Sequence, residues 1–314
     1  PWLDTPFLMQ GFLTDTDKDL ADLKTYCQFI YIDDERGVKA DAYMDENKVS
    51  VLKSDAFALP ECKVKYETKV DLQKELAVAK NNQAELENHV RNIMQTAVLD
   101  GKINYIPVRS TVNKMIESVL RNPDAYVWLR QLMDRDSYLY SHAIDASVLA
   151  VVFGRHLGLD REELQDLAVG TMFSDVGKMK LPMDLLTKKT RLTDAEFELV
   201  KRHVEFSVEI MEKSKGISGR AIEITRCHHE RYNGKGYPRG LKATQIPVFG
   251  RIGAIVDCYD AITSERPYCK PLSSHDAIIK LYEWRNIDFQ EGLVEGFIQC
   301  LGAFPTGSIV ELNS

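Results

Sequence analysis

The sequence predicts a mainly α-helical protein, in which a small α+β module at residues 1–60 precedes an all-α helical bundle. Two observations predict this fold class. From about residue 66 onward, apolar residues recur at the three- and four-residue spacings of amphipathic helices, and proline or capping residues stand at several helix starts. Before that point, the chain mixes short strand-like runs at 29–33 and 48–52 with one short helix near 17–26.

Length, composition and charge narrow the class of protein. The 314 residues are enough for one large domain with a sizeable core and a small one. No apolar run reaches the roughly 18–20 residues that span a bilayer, and no secretory segment is visible, so no membrane partner is expected. The net charge of −7 argues against a nucleic-acid polymer as partner. The six cysteines occur singly, which predicts a reducing, cytoplasmic location.

The first long helix of the bundle is predicted over residues 68–98, where apolar residues alternate at spacings of four and three. The positions of this heptad seam are Leu72, Leu76, Ala79, Gln83, Leu86, Val90, Ile93 and Ala97. Such a seam is typical of a helix packed on its own domain, and also of a helix pair in a coiled coil. Both interpretations stay open, and the second predicts a homodimer through residues 68–98.

Nine further helices are predicted, over 108–121, 123–134, 137–157, 161–173, 193–213, 217–229, 247–263, 273–285 and 290–302. Pro123, Thr193 and Pro247 stand at positions that suit helix starts. The predicted domain organisation is the α+β module at 1–60, a helical linker at 61–135, a bundle domain at 136–303 and the start of a truncated β segment at 304–314.

Histidines and aspartates form an ordered series in the bundle domain. Its members are His142, Asp175, His203, the adjacent pair His228 and His229, and Asp257. Imidazole nitrogens and carboxylate oxygens at helical positions are the ligand set of a di-metal site that activates water. Six basic residues and one acidic residue lie between positions 226 and 251, so a small anionic ligand is favoured close to this series.

Some members of the series have a structural explanation when they are taken alone. His142 and His203 lie among apolar residues of predicted helices, where a histidine is more often part of the core. Asp175 precedes a glycine turn, where a carboxylate usually caps a helix. The pair His228 and His229 is harder to explain by packing, because adjacent side chains on a helix diverge by about 100° and can serve two different partners.

Together these motifs resemble the HD-GYP family, a branch of the HD-type metal phosphohydrolases. The resemblance covers about residues 137–300, and the segments that carry it are 173–178, His203, 228–231, 236–238 and 257–268. It implies an HD-type all-α bundle that hydrolyses a 3′–5′ phosphodiester of a cyclic dinucleotide. The implied substrates are cyclic di-GMP and cyclic GMP–AMP, and the implied product is a linear dinucleotide with a 5′-phosphate. The N-terminal module resembles an accessory domain found in one subset of the family.

The resemblance also implies roles for single residues. One metal ion would be held by His142, Asp175 and Asp257, and a second by Asp175, His203, His228 and His229. Asp175 and Lys178 would be catalytic, and Lys178, Arg231, Tyr237, Arg266 and Lys270 would bind the substrate. Asp260 would support the ligands without touching the metal. The cofactors expected are two divalent metal ions, iron or manganese first, with nickel or zinc as alternatives.

The sequence departs from the family pattern at the histidine of its HD pair, where this chain carries Ser174. The first metal would then keep three protein ligands, which is enough in many catalytic sites. Asn233 replaces a carboxylate in a turn, and Cys269 stands where a phosphate-binding lysine is usual, with Lys270 beside it. We therefore expect an active phosphodiesterase. The alternatives are a cyclic-dinucleotide sensor without turnover, a mononucleotide phosphohydrolase and a scaffold.

Overall fold

The computed structural model describes residues 59–132, 138–265, 270–302 and 305–306, and these residues are mainly helical, as the sequence predicts. They belong to a compact unit that runs from Ala56 to Ser314. The predicted α+β module lies outside the described residues except for positions 59 and 60. The predicted C-terminal β segment lies outside them except for positions 305 and 306.

Within these described ranges the chain forms twelve α-helices. They are α1 Leu72–Asp100, α2 Ile106–Arg121, α3 Pro123–Leu132, α4 Tyr138–His156, α5 Arg161–Met172, α6 Met183–Leu186, α7 Asp194–Lys201, α8 His203–Glu212, α9 Gly219–Cys227, α10 Val248–Thr263, α11 Ser274–Glu283 and α12 Glu291–Leu301. Two 3-10 segments, Val176–Lys180 and Ala243–Gln245, and two isolated β-bridges complete the described secondary structure. Among these helices, none has the length and apolar character needed to cross a membrane.

The predicted helix over 193–213 is wrong as a single element, because the chain turns at Arg202 and forms α7 and α8. The Arg202 backbone N–H bonds to the Leu199 carbonyl, which tightens the last turn of α7. The His203 ring then lies 2.6 Å from the Val200 carbonyl, and such local side-chain bonds compete with a continuous helix. As a result, His203 is the first residue of α8.

The heptad seam of α1 is buried inside the chain from Ala79 to Ala97, and its first two positions are half-buried. Ala79, Leu86 and Val90 have no exposed surface, because α1 packs against α2, α3 and α4. The buried Glu75 at its start accepts hydrogen bonds from Arg121 on α2. Packing within one chain therefore accounts for the seam, and a homodimer through residues 68–98 stays a prediction that would have to use other faces.

Close helix packing brings the ends of α5 and α9 together with the start of α10. A Cβ atom at Gly170 would lie 2.7 Å from Ile224 Cβ, and one at Gly250 would lie 2.6 Å from Cys227 Cβ. Both distances are too short for a larger residue, so α9 can approach its two neighbours only because these positions are glycine. The segments that follow α5 and α9 therefore lie side by side.

Candidate metal centre

The six residues that the sequence predicts as metal ligands converge in two groups. One group is formed by Asp175, His203, His228 and His229, and the other by His142, Asp175 and Asp257. The potential ligand atoms of each group lie within 4.8 Å of one another. Asp175 is common to both, and its Oδ1 atom faces His203 of one group while its Oδ2 atom faces His142 of the other.

Asp175 is held at this point by the turn that follows it. The residue lies three positions after the last residue of α5 and directly precedes the 3-10 segment Val176–Lys180. The Gly177 backbone N–H donates to Ser207 Oγ at 2.8 Å, and any Cβ at Gly177 would overlap the His203 carbonyl. Glycine at this position thus lets the turn lie directly on the start of α8, which places Asp175 beside His203.

In the first group, His142 lies between three carboxylates. Its Nε2 atom is 3.0 Å from Asp257 Oδ1 and 3.5 Å from Asp175 Oδ2. Its Nδ1 atom is 2.6 Å from Asp260 Oδ2, one helical turn after Asp257 on α10. A carboxylate on one ring nitrogen fixes the orientation of a histidine whose other nitrogen binds a metal. Asp260 stands in that supporting position.

In the second group, electron-rich atoms face one another. The Nδ1 atoms of His203 and His228 each lie 2.6 Å from a backbone carbonyl, which must accept a hydrogen bond from them. In a neutral ring the Nε2 atom then carries a lone pair. These two Nε2 atoms lie 3.4 Å apart and at 3.2 and 3.6 Å from Asp175 Oδ1.

This arrangement fits a cation better than it fits a hydrogen-bond network. Among the residues that the structure describes, Asp175 Oδ1 is a buried oxygen that accepts no hydrogen bond. Two imidazole lone pairs and an unpaired carboxylate oxygen repel one another unless a positive charge lies between them. The donor set, nitrogen and oxygen together, suits a divalent transition metal.

His229 connects the two groups. Its Nδ1 atom lies 3.8 Å from Asp257 Oδ2, while the adjacent His228 faces Asp175. The two rings do not diverge as the sequence predicts, because their centroids lie only 4.1 Å apart, but the two histidines face different carboxylates. The side chain of His229 is 17% exposed, whereas that of His228 is 1% exposed, so His229 lies on the open side of the site.

The protonation states of the site favour metal binding at most of these residues. Burial opposes ionisation of Asp175, but the charge of the nearby Lys178 ammonium holds its pKa well below the ordinary value. The pKa of Asp257 is also lowered, because its bond to His142 outweighs burial. Burial lowers the pKa of His203 and of His229. Ionised carboxylates and neutral imidazoles are the forms that bind metals.

His142 is the exception. Burial lowers its pKa, but hydrogen bonds to Asp257 and Asp260 and the charges of both carboxylates outweigh burial and raise the pKa to about 10. In the metal-free protein this ring therefore carries a proton at neutral pH. A metal ion at His142 would have to displace that proton.

Arg130 on α3 supports the first group, and the sequence reasoning missed it. Its Nε and Nη2 atoms lie 3.0 and 2.8 Å from Oδ1 of the fully buried Asp260, whose other oxygen holds His142. Burial opposes ionisation of Asp260, but Arg130 lowers its pKa to about 2. One sign of a buried role was visible in the sequence, because Arg130 directly follows Leu129 and most of its neighbours in α3 are apolar.

Ser174 contributes no ligand atom to either group. Its hydroxyl donates to the Thr171 carbonyl at 2.9 Å, and the residue is 3% exposed. The side chain thus caps the end of α5. The first group accordingly has three protein residues, His142, Asp175 and Asp257.

Two predicted substrate residues lie beside the metal groups. Lys178 Nζ is 2.5 Å from Asp175 Oδ2, and its side chain is 20% exposed. The Tyr237 ring is tilted over the His229 ring with centroids 4.7 Å apart. A Cβ atom at Gly236 would lie 2.5 Å from the His229 carbonyl oxygen, so glycine is needed for the loop to bring Tyr237 so close.

The other predicted substrate residues have less direct positions. Arg231 donates to the carbonyls of His228 and Glu230 and lies over the Phe289 ring, so its main contacts hold the loop itself. Lys270 is exposed, and Arg266 lies outside the described residues.

Glu230 and Asn233 hold the loop after α9. The buried carboxylate of Glu230 accepts the backbone N–H groups of Arg239 and Leu241, a role that the sequence reasoning did not identify. Asn233 accepts the Lys235 N–H at 2.8 Å and so shapes a turn, as expected for this departure from the family pattern.

Comparisons with known proteins identify the family to which the chain is similar. Residues 127–288 match the model of the HD domain family, and residues 1–108 match a domain of unknown function (DUF3391). A cyclic di-GMP phosphodiesterase of Pseudomonas aeruginosa is 31% identical over 315 residues, a match that covers 100% of this chain and 75% of that protein. A 3′3′-cGAMP-specific phosphodiesterase of Vibrio cholerae is 35% identical over 139 residues, covering 44% of this chain and 27% of that protein.

A solved structure confirms the fold. An HDG"Y"P protein from Bdellovibrio bacteriovorus superposes with a TM-score of 0.59 at 18% sequence identity, covering 77% of this chain and 74% of that chain. At this level of identity the likeness concerns the helical architecture alone.

Proposed function

Since the chain belongs to the HD domain family, in its HD-GYP branch, we propose that it is a metal-dependent phosphodiesterase acting on a cyclic dinucleotide. The substrates are cyclic di-GMP, 3′3′-cyclic GMP–AMP or both, the molecules for which its relatives are named. Hydrolysis of one 3′–5′ phosphodiester gives a linear dinucleotide with a 5′-phosphate. The observation that carries the proposal is the pair of donor groups that share Asp175.

We assign one divalent cation to His142, Asp175 and Asp257, and a second to Asp175, His203, His228 and His229. Iron or manganese suits these mixed nitrogen and oxygen donors, and nickel or zinc is the alternative. Bound there, the two cations would supply a water nucleophile at neutral pH and neutralise charge on the phosphate. The unpaired Oδ1 atom of Asp175 supports the second assignment.

The protein residues position and neutralise the reacting groups. Water adds to phosphorus, the bond to the 3′ oxygen breaks, and that oxygen leaves as a hydroxyl. Lys178 lies at the open edge of the site, where its ammonium can turn from Asp175 to a phosphate oxygen and to the leaving oxygen. Tyr237 forms a wall over His229 that keeps water from one side of the substrate.

Further parts of the proposal rest on the sequence. Arg266 and Lys270 would bind the second phosphate of the cyclic ligand, and Arg231 would join them only after leaving its backbone partners. The cytoplasmic location follows from the thiol chemistry predicted above, and Cys62, Cys227 and Cys300 carry free thiols. A homodimer remains part of this proposal.

A second function is favoured by one observation. Ser174 uses its hydroxyl on a backbone carbonyl and leaves the first group with three protein residues. A first cation held too weakly would leave a protein that binds the cyclic dinucleotide without hydrolysing it. The rival function is therefore a cyclic-dinucleotide sensor.

Product formation decides between the two functions. Purified protein loaded with iron or manganese is incubated with each cyclic dinucleotide, and linear products and bound metal per chain are measured. We expect turnover with two metals per chain, and we expect Asp175→Ala and His229→Ala to lose it by at least about 100-fold. His89→Ala is the matched control, since His89 bonds to Thr111 outside the site. Tight binding without product in the unmodified protein would establish the sensor instead.

A further inference from the structure

Helix α7 stands at the rim of the site and buries none of its residues. It is held by a capping box between Thr193 and Glu196 and by the bond from Lys188 to the Glu196 carboxylate. Phe197, in the middle of this helix, is 44% exposed. An aromatic ring exposed to this extent costs free energy in water unless something covers it.

The exposed ring of Phe197 continues the aromatic wall of the metal centre. Its centroid lies 6.2 Å from that of Tyr237 in an edge-to-face contact, and Tyr237 in turn lies 4.7 Å from His229. Both distances are within the range of favourable aromatic pairs. A line of rings therefore runs from a candidate metal ligand to the surface of α7.

A cation lies against the same rings. Lys201 follows Phe197 by four positions on α7, and its Nζ atom is 4.8 Å from the Phe197 ring centre and 5.6 Å from the Tyr237 ring centre. Its carboxylate partner, Glu198, is 69% exposed, and such a solvated pair is worth little, so it exchanges readily with a bound anion.

The position of Phe197 relative to the metal groups is fixed by the chain. Only Arg202 separates α7 from α8, whose first residue is His203. The His203 ring is anchored to the Val200 carbonyl inside α7. The aromatic face and the metal ligand therefore belong to one short, locally bonded segment.

We propose that Phe197 is the stacking residue for one purine base of the cyclic dinucleotide whose phosphate lies on the metal groups, with Lys201 beside that phosphate. The inference rests on the proposed function and names a part of its substrate site. A purine has a flat π-face that matches an exposed aromatic ring, and the adjacent phosphate matches an ammonium. The exposed aromatic ring therefore matches the base of one nucleotide, and the Lys201 ammonium matches its phosphate.

The test compares ligands with and without a base. Calorimetry measures the dissociation constants of inorganic phosphate and of cyclic di-GMP, the latter as a non-hydrolysable analogue because the loaded protein is expected to cleave the natural ligand. The measurements are made on the manganese-loaded protein and on Phe197→Ala and Phe197→Trp loaded in the same way. Loss of one stacked base should raise the constant for cyclic di-GMP by roughly 5- to 140-fold, which is about 1–3 kcal/mol at 1.4 kcal/mol per tenfold. The tryptophan variant should restore the affinity, and the constant for phosphate should not change.

Phe249→Ala is the matched control, because Phe249 is also a partly exposed phenylalanine beneath a cation, Arg220, at 4.8 Å. Its affinity for cyclic di-GMP should equal that of the unmodified protein. Equal loss for both ligands in Phe197→Ala, or loss for neither, overturns the subsite. If the unmodified protein binds cyclic di-GMP but does not hydrolyse it, the phosphodiesterase proposal is wrong. The comparison of dissociation constants would still test the role of Phe197 in binding. An unmodified protein that does not bind cyclic di-GMP overturns both.

Discussion

Replacing Arg130 with methionine tests whether a buried arginine sets the metal affinity of the centre through Asp260. The variant keeps the apolar stem of Arg130 and removes its charge. Asp260 is fully buried, and the arginine side chain is 8% exposed, so this ion pair has little contact with solvent. Removing one partner of such a pair leaves a buried charge uncompensated, and we expect a loss of about 3–5 kcal/mol in the free energy of unfolding.

The functional effect follows from the second oxygen of Asp260, which lies 2.6 Å from His142 Nδ1. Without Arg130 this carboxylate is free to turn, so His142 loses its fixed orientation toward Asp257 and Asp175. Supporting partners of metal-binding histidines are worth about 10- to 100-fold in metal affinity. We expect one of the two manganese dissociation constants to rise by that factor, and the constant of the group around His203 to stay unchanged.

Arg121→Met is the control for lost stability. Arg121 also bonds to a buried carboxylate, that of Glu75, but its side chain is 36% exposed and it belongs to α2. The Arg121→Met substitution should lower the free energy of unfolding by about 1–2 kcal/mol and leave both manganese dissociation constants unchanged. Manganese titration and chemical unfolding measure the two quantities separately. If Arg130→Met unfolds more easily but binds both manganese ions normally, then the path through Asp260 does not position His142.

Two more outcomes are expected. The raised pKa of His142 adds stability to the metal-free protein that is fully present below pH 6.5 and is lost as the pH rises through about 10. Since binding displaces this proton, metal affinity of the first group should rise about tenfold per pH unit between pH 7 and 9, and a flat titration would contradict the assignment. Ser174→His should strengthen metal binding in the first group and cost the metal-free protein about 1 kcal/mol, because its bond to the Thr171 carbonyl is lost. An unchanged manganese constant would mean that position 174 does not face the site.

Local sequence signals were sufficient for most helices and for all six candidate metal ligands. Caps such as Thr193 at α7, together with apolar spacing, act within one turn and are visible in the chain itself. These candidates could be named because histidine and aspartate in a helical bundle have few other chemical uses in combination, and the fold brings them together in two groups. The break at Arg202 was not visible, because it depends on the direction in which the His203 ring turns.

Arg130 and Glu230 could not be identified from their neighbours in the sequence. Arg130 meets Asp260 across 130 positions, and nothing in α3 indicates which buried carboxylate it serves. Glu230 was expected as part of a motif, but its contacts with the backbone of Arg239 and Leu241 exist only after the loop has closed. Long-range partners of this kind depend on the packing of the whole bundle.

The distribution of the candidate ligands along the chain has a consequence for the stability of the folded protein and its resistance to proteolysis. His142 and Asp257 are 115 positions apart, and Asp175 lies between them. A cation held by all three would close two long loops, as a removable cross-link does. For a disulfide, closing a loop as long as the one from Asp175 to Asp257 corresponds to about 4–5 kcal/mol of lost chain entropy in the unfolded state. A cell that withdraws the metal would then shorten the survival of the protein against proteases as well as stop its reaction.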